Sequence, residues 1–134
     1  MRTLLITLLV NIAMAVNAQN FEWIQLATDQ KQDCVAYIYE DIIHPMDNNG
    51  NFRVWIKLEY GQNATNIRAG FPNATYSLDL YEFRPNLSEY RVMENFFYNK
   101  HKELIGRVPY EARWEYVVPG SLMDIMARWI KKNN

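Results

Sequence analysis

The segment "NFRVWIKLEY", residues 51–60, decides the fold class. Two sets of side chains alternate along it: Val54, Ile56, Leu58 and Tyr60 in one set, and Arg53, Trp55, Lys57 and Glu59 in the other. Successive side chains of a β-strand point to opposite faces of the sheet. The alternation therefore predicts a strand with one mostly apolar face, buried against a second layer, and one mixed face.

Similar segments precede and follow this strand. They are rich in β-branched and aromatic residues and are bounded by Gly, Pro, Asn or Asp, which is typical of strands. They cover residues 21–28, 34–40, 75–83, 89–99 and 103–108, with an extended piece at 113–118 that could join an edge of the sheet. Asn49-Gly50 predicts a tight hairpin turn before residue 51, because both residues tolerate a positive φ.

The chain closes on the pattern of an amphipathic helix. Ser121 is placed to cap its N-terminus, and Asp124 adds negative charge to the first turn. The apolar positions repeat at helical spacing: Leu122, Ile125, Met126, Trp129 and Ile130. A basic amphipathic helix could also lie on a membrane surface. In a small sheet protein such a helix more often covers the sheet, and we predict that role.

These patterns predict an α+β fold in which an antiparallel meander of about five to six strands carries a C-terminal helix packed on one face. No linker, repeat or low-complexity tract divides the chain, so we expect residues 19–134 to form a single domain.

The first residues resemble a cleavable export signal. Arg2 precedes an apolar run, and small residues end it at Val16 and Ala18, before a cleavage point between Ala18 and Gln19. We therefore expect an exported protein, in the periplasm, at the cell surface or secreted, without stable membrane insertion. Removal of residues 1–18 takes away Arg2 and no acid, which changes the net charge from −1 to −2. This balance gives no case for nucleic-acid binding, which needs clustered Lys and Arg.

Specific catalytic or metal signatures are absent from the sequence, so we expect a non-enzymatic protein without cofactors. Asp41, His44 and Asp47 share a regular spacing, but a strand or turn would not bring them together around a metal. Cys34, the one cysteine, could act as a nucleophile only if a histidine came close in the fold. A thiol-dependent hydrolase is therefore the weakest alternative.

Aromatic side chains supply the candidate partner surface. Tyr37 and Tyr39 share one face of the second predicted strand, and Trp55 and Lys57 share the mixed face of the third. Aromatic rings beside cationic side chains are common in protein interfaces. A second core layer or cross-strand pairing would explain the same four residues equally well.

The order of the elements resembles the surface-adhesin protein E-like domain, a family of small exported bacterial proteins. The resemblance covers about residues 23–130 and is carried by "FRVWIKLEY", "EYRVMENFFYN" and Trp114 followed by "VPGS" and the terminal helix. It implies an antiparallel sheet with a C-terminal helix. It also implies binding to host extracellular-matrix or plasma proteins, with homodimerisation as a further partner class.

The resemblance also implies a disulfide between the central strand and the helix, which this chain lacks. Leu80 occupies the first half-cystine position, and the second falls around Trp129 to Lys131. We therefore expect apolar packing between Leu80 and the helix in place of the bridge.

Two functional hypotheses follow. The first is a non-enzymatic exported protein-binding, adhesin-like domain. The second is a periplasmic structural or accessory protein that pairs through a sheet edge, where backbone groups are unpaired.

Overall fold

The computed structural model describes residues 22–45, 49–64, 68, 70–108 and 113–134. The elements in this part are β1 (Trp23–Asp29), β2 (Cys34–Tyr39), β3 (Phe52–Tyr60), β4 (Tyr76–Phe83), β5 (Glu89–Tyr98), β6 (Leu104–Arg107), β7 (Glu115–Tyr116) and α1 (Leu122–Asn133). The predicted signal cleavage point at Ala18 and Gln19 lies outside the described residues, as does Asp47.

The strands form one antiparallel sheet in the order β1-β2-β3-β4-β5-β6. Strands β6 and β7 both pair with β5, β6 near its end at Phe96 to Tyr98 and β7 at its first two residues. The predicted α+β meander with a terminal helix is therefore confirmed, with β7 as a short additional strand.

The turns follow the local chemistry of the sequence. Asn49 and Gly50 both have positive φ, 54° and 82°, the backbone conformation that the Asn-Gly signal predicts. The connection is longer than a tight hairpin, because β2 ends at Tyr39 and β3 begins at Phe52. Between β5 and β6, the side-chain oxygen of Asn99 accepts hydrogen bonds from the backbone N–H groups of His101 and Glu103, at 2.9 and 3.1 Å. An Asn side chain often stabilises a turn by bonding to nearby backbone groups in this way.

Helix α1 packs on one face of the sheet, which we call the helix face. Ser121 caps the helix, since its Oγ accepts from the Asp124 backbone N–H at 3.3 Å. Met126 and Ile130 are fully buried in the core together with strand residues. The strand members of this core are Ile38, Val54, Ile56, Tyr81 and Phe83. The predicted covering role of the helix is confirmed.

Phe71, which lies between β3 and β4, packs at the other end of the helix face. Phe71 lies 4.9 Å from Phe97 between ring centres, and Tyr60 stacks on Phe97 at 6.3 Å. Phe71 also contacts Gly106 so closely that a Cβ at that position would collide with its ring. Glycine at 106 therefore permits this contact.

Three register shifts interrupt the regular pairing of the strands. One lies in β1 between Gln25 and Ala27, and one lies in β6, where Phe97 and Tyr98 of β5 pair with Gly106 and Leu104. The third is a bulge in β5, where Leu80 and Tyr81 of β4 pair with Glu94 and Val92. The extra residue, Met93, reverses which positions of β5 face the helix. After the bulge, the helix face therefore receives Asn95 and Phe97.

The expected packing of Leu80 against the helix is wrong. Its neighbours Asp79 and Tyr81 are buried on the helix face, and alternation along β4 turns Leu80 to the opposite face. There it pairs with Trp55 of β3. Ile130, by contrast, is fully buried in the helix-face core, so the two side chains lie on opposite sides of the sheet.

Candidate functional site

The sheet face opposite the helix, which we call the open face, carries a band of aromatic and aliphatic side chains. No helix or strand in the described part of the chain packs across it. Its central members are half-buried, which leaves part of each side chain in contact with solvent. They are Tyr37 and Tyr39 of β2, Trp55 of β3, Leu78 and Leu80 of β4, and Phe96 of β5.

Lys57 lies at the centre of one part of this band. Its ammonium nitrogen is 4.9 Å from the ring centre of Tyr37 and 5.1 Å from that of Trp23. Tyr37 is its cross-strand partner, and Glu59 pairs with the same ammonium at 3.4 Å. Burial, followed by the charge and the hydrogen bond of Glu59, raises the pKa of the Tyr37 hydroxyl. The rings and the charge of Lys57 therefore hold one another in place.

A second ring pair extends the band across β4. Trp55 and Phe96 are stacked with ring centres 6.4 Å apart and an interplanar angle of 29°. The guanidinium carbon of Arg107 lies 5.5 Å from the Phe96 ring centre, and Arg107 forms a two-pronged ion pair with Glu94. Aromatic side chains capped by cations and ion pairs thus recur along the open face.

A buried carboxylate organises the other end of the open face. Glu82 is fully buried and pairs with Arg53 at 2.6 Å and with Arg91 at 2.6 Å. The guanidinium carbons of Arg84 and Arg91 lie 3.9 and 4.5 Å from the ring centre of Trp114. Of these two cations, Arg91 is held by the buried Glu82 carboxylate, whereas Arg84 pairs with Glu89 at 3.9 Å.

The structure brings the four sequence-predicted residues together on this face. Tyr37 and Tyr39 alternate with buried Ala36 and Ile38 of the same strand. Trp55 and Lys57 alternate with buried Val54 and Ile56 in β3. Tyr39 also contacts Trp23, with ring centres 5.2 Å apart.

The sequence analysis missed Trp23, Tyr76 and Leu78, which belong to the band. It also missed the Glu82 ion-pair cluster at the other end of the open face. The alternation of "TYSLDLYEF" was the available signal, since it separates Tyr76, Leu78 and Leu80 from Ser77, Asp79 and Tyr81. Asp79 and Ser77 hide that signal, because polar residues normally mark the solvent side of a strand and here they are buried.

Asp79 is an unusual buried group beneath the helix face. Its Oδ2 lies 3.5 Å from the Ser77 hydroxyl, and its Oδ1 has no hydrogen-bond partner among the described residues. Burial raises the pKa of the Asp79 carboxyl to about 7, and the Ser77 hydrogen bond opposes this only partly. The group lies within the core rather than in a cleft open to a substrate.

The candidate nucleophile Cys34 lies in a cleft of about 610 Å³ beside the start of the helix. Ala36, Leu58 and Ile125 give the cleft an apolar lining, and Asp29 and Gln32 add polar groups. Burial, Asp29 and Asp33 all raise the pKa of the Cys34 thiol, which disfavours the reactive thiolate.

The histidine positions do not build a metal site within the described residues. His44 is exposed and its ring meets Phe52 edge-on at 5.3 Å. Across the described part of the chain, no group of three His, Cys, Asp or Glu side chains is placed to hold a metal ion. Nor does any helix there have the length and apolarity needed to cross a membrane.

Comparison with known proteins adds no relative: no family model matches the chain, and no curated protein or solved structure is significantly similar to it.

Proposed function

We propose that this protein is a non-enzymatic exported domain that binds a protein partner through the open face of its sheet. The observation that carries the proposal is the band of half-buried rings around Trp55, Tyr37 and Lys57, fixed by cation–π contacts and stacking. Rings that are already held in place lose little conformational entropy when a partner covers them. Aromatic and arginine side chains also contribute much of the binding energy in protein interfaces.

Two further observations support a binding role over catalysis. Two carboxyl groups are buried in the described part of the chain. Glu82 is held in an ion-pair network, and Asp79 lies within the core. The thiol of Cys34 has a raised pKa, so a thiol-dependent hydrolase would have to lower it by a contact that the described residues do not supply.

The resemblance to the surface-adhesin protein E-like domain suggests the partner class for this proposal. Host extracellular-matrix and plasma proteins are the first partners to test, and a second copy of the chain is the next. Export to the periplasm or cell surface, through the signal ending at Ala18, is part of the same proposal.

The test is binding to a panel of purified extracellular-matrix and plasma proteins, measured by biolayer interferometry with wild-type protein and Trp55→Ser. We expect at least one panel member to bind, and Trp55→Ser to weaken binding by roughly tenfold or more. Val118→Ser is the matched control, because Val118 is a 62% exposed apolar residue outside the band. No binding by the wild-type protein, or equal binding by Trp55→Ser, would contradict the proposal.

A periplasmic accessory protein that pairs through a sheet edge is the second candidate. Strand β1 favours it, because this seven-residue strand pairs on one side with β2 and forms one edge of the sheet. Light scattering after size-exclusion chromatography separates the candidates. Edge pairing predicts a dimer that Gln25→Lys dissociates and Trp55→Ser leaves intact, whereas self-association through the open face predicts the reverse.

A further inference from the structure

A groove of about 530 Å³ lies at one end of the open face. Its apolar lining comes from two strands: Trp23 at the start of β1, and Tyr76 and Leu78 of β4. Lys57 of β3 lies beside them. The volume falls within the range of small binding pockets, roughly 300–1,000 Å³. Side chains of a partner can therefore enter the groove, in addition to contacting the flat part of the open face.

The walls of this groove are held in place from outside. Tyr76 stacks on its cross-strand partner Tyr98 with ring centres 4.9 Å apart and planes 7° apart. The ring of Trp23 is held between Tyr39 and the Lys57 ammonium. Aromatic walls that are stacked before binding present a fixed apolar surface.

The charge of the groove is opposite in sign to that of the chain. Lys57, Lys100 and Lys102 line it against the single carboxylate of Glu59, which gives a local charge of +2. The whole chain has a net charge of −1. Lys57 pairs with Glu59, whereas Lys100 and Lys102 have no ion pair among the described residues.

The turn between β5 and β6 places the two remaining lysines at the groove. The Asn99 side chain bonds to the backbone of this turn, and the Lys102 backbone N–H donates to the Asn99 carbonyl at 3.0 Å. Lys102 has a φ of 63°, a conformation that few non-glycine residues adopt. The turn also carries His101 and Glu103, which are exposed and do not line the groove.

We infer that this groove binds an acidic segment of a partner protein in which a carboxylate side chain adjoins an apolar one. The carboxylate meets Lys100 and Lys102, and the apolar side chain enters between Trp23, Tyr76 and Leu78. This inference rests on the proposed binding function and names the partner chemistry for one part of the open face. A nucleic acid or sulfated polysaccharide would leave the apolar wall unmatched, and it would need more cations than the groove offers.

The test uses short fluorescein-labelled peptides and fluorescence anisotropy with the purified protein. The first peptide has glutamates around a Leu-Phe pair, the second replaces each Glu by Gln, and the third replaces Leu-Phe by Ser-Ser. Heparin serves as the polyanion probe. We expect only the first peptide to bind appreciably, with an affinity that falls as salt rises.

The matched variants separate local charge from overall charge. Lys100→Glu with Lys102→Glu should weaken binding of the first peptide by roughly tenfold, since attraction becomes repulsion at two exposed sites. Lys131→Glu with Lys132→Glu makes the same change in net charge at the end of α1 and should alter binding by less than about twofold.

Each other outcome overturns the inference. Equal binding of the Glu and Gln peptides would show that the groove does not select a carboxylate. The open face as a whole would still be a candidate binding surface. Tighter binding of heparin than of the first peptide, lost in Lys100→Glu with Lys102→Glu, would assign the groove to a polyanion. No peptide binding would reject the groove, while the binding panel with Trp55→Ser would still decide the proposed function.

Discussion

The ammonium nitrogen of Lys57 lies 4.9 Å from the ring centre of Tyr37, its partner on the neighbouring strand. The same nitrogen lies 5.1 Å from the ring of Trp23 and 3.4 Å from a carboxylate oxygen of Glu59. One side chain therefore joins β1, β2 and β3 on the open face. Its charge attracts the faces of both aromatic rings.

Removal of this charge should destabilise the fold slightly. Lys57→Gln loses two cation–π contacts and one partly exposed ion pair, and we expect the free energy of unfolding to fall by about 1 kcal/mol. Urea denaturation at neutral pH measures it. Lys131→Gln, at the exposed end of α1, is the control and should cost less than about 0.5 kcal/mol. Equal losses in the two variants would show that the ring contacts of Lys57 contribute nothing.

The fully buried carboxylate of Glu82 should matter far more than the partly exposed one of Glu94. Glu82→Gln leaves Arg53 and Arg91 facing each other without an anion. We expect a loss of roughly 2–4 kcal/mol, somewhat below the range of about 3–5 kcal/mol for buried pairs, because both arginines keep about a quarter of their side chains exposed.

Glu94→Gln is the matched control for Glu82→Gln. It removes the partner of Arg107, whose side chain is 59% exposed, and should cost less than about 1 kcal/mol. Chemical denaturation of both variants compares the two sites. A Glu82→Gln variant as stable as Glu94→Gln would contradict the buried network.

The buried carboxyl of Asp79 should make stability depend on pH. Folding raises its pKa from 3.8 to about 7, so the folded state holds the proton more tightly than the unfolded state. The stabilising effect of that proton is complete below the unfolded value and is lost as pH rises towards about 7. Asp79→Asn should remove this dependence and gain roughly 2–4 kcal/mol at pH 8, relative to the wild type.

Thermal or urea unfolding between pH 3 and pH 8 measures the effect of Asp79, over a window that spans its unfolded and folded pKa values. Asp41→Asn is the control, since Asp41 is exposed and should leave the pH profile parallel to that of the wild type. Parallel profiles for Asp79→Asn and the wild type would mean that the carboxyl titrates normally in the folded protein.

Leu80 and Ile130 lie on opposite sides of the sheet, and a pair of cysteine substitutions tests this placement directly. Leu80→Cys combined with Ile130→Cys should not form an intramolecular disulfide, because the sheet separates the two side chains. Thiol titration of the unfolded monomer should then find both new thiols free, in addition to Cys34. Loss of two thiols in the monomer would show that a disulfide has formed. Leu80 would then lie next to the helix, as the family resemblance implies.

Local chemistry predicted much of this fold. The alternation in residues 51–60, the Asn49-Gly50 turn and the Ser121 cap each depend on a few neighbouring residues, and the structure contains all three. Alternation also placed Tyr37 and Trp55 on faces that turned out to be the same open face. Such features can be read from sequence because their periodicity is local.

The rest depends on long-range register. The bulge at Met93 arises from the pairing of β5 with β4. Beyond the bulge, the odd-numbered positions of β5 lie on the helix face, and Asn95 and Phe97 are among them. The Glu82 cluster and the lysine-lined groove likewise join residues from three or more separate segments. The residue spacing within a single segment therefore cannot predict the Glu82 cluster or the groove.

Binding of a protein partner to the open face can be tested without knowing that partner, by selecting a random-peptide phage library on the immobilised protein. Binding through the open face predicts that enriched clones lose binding to Trp55→Ser and keep it to Val118→Ser. Enriched clones that bind both variants equally, or no enrichment over an uncoated surface, would contradict it.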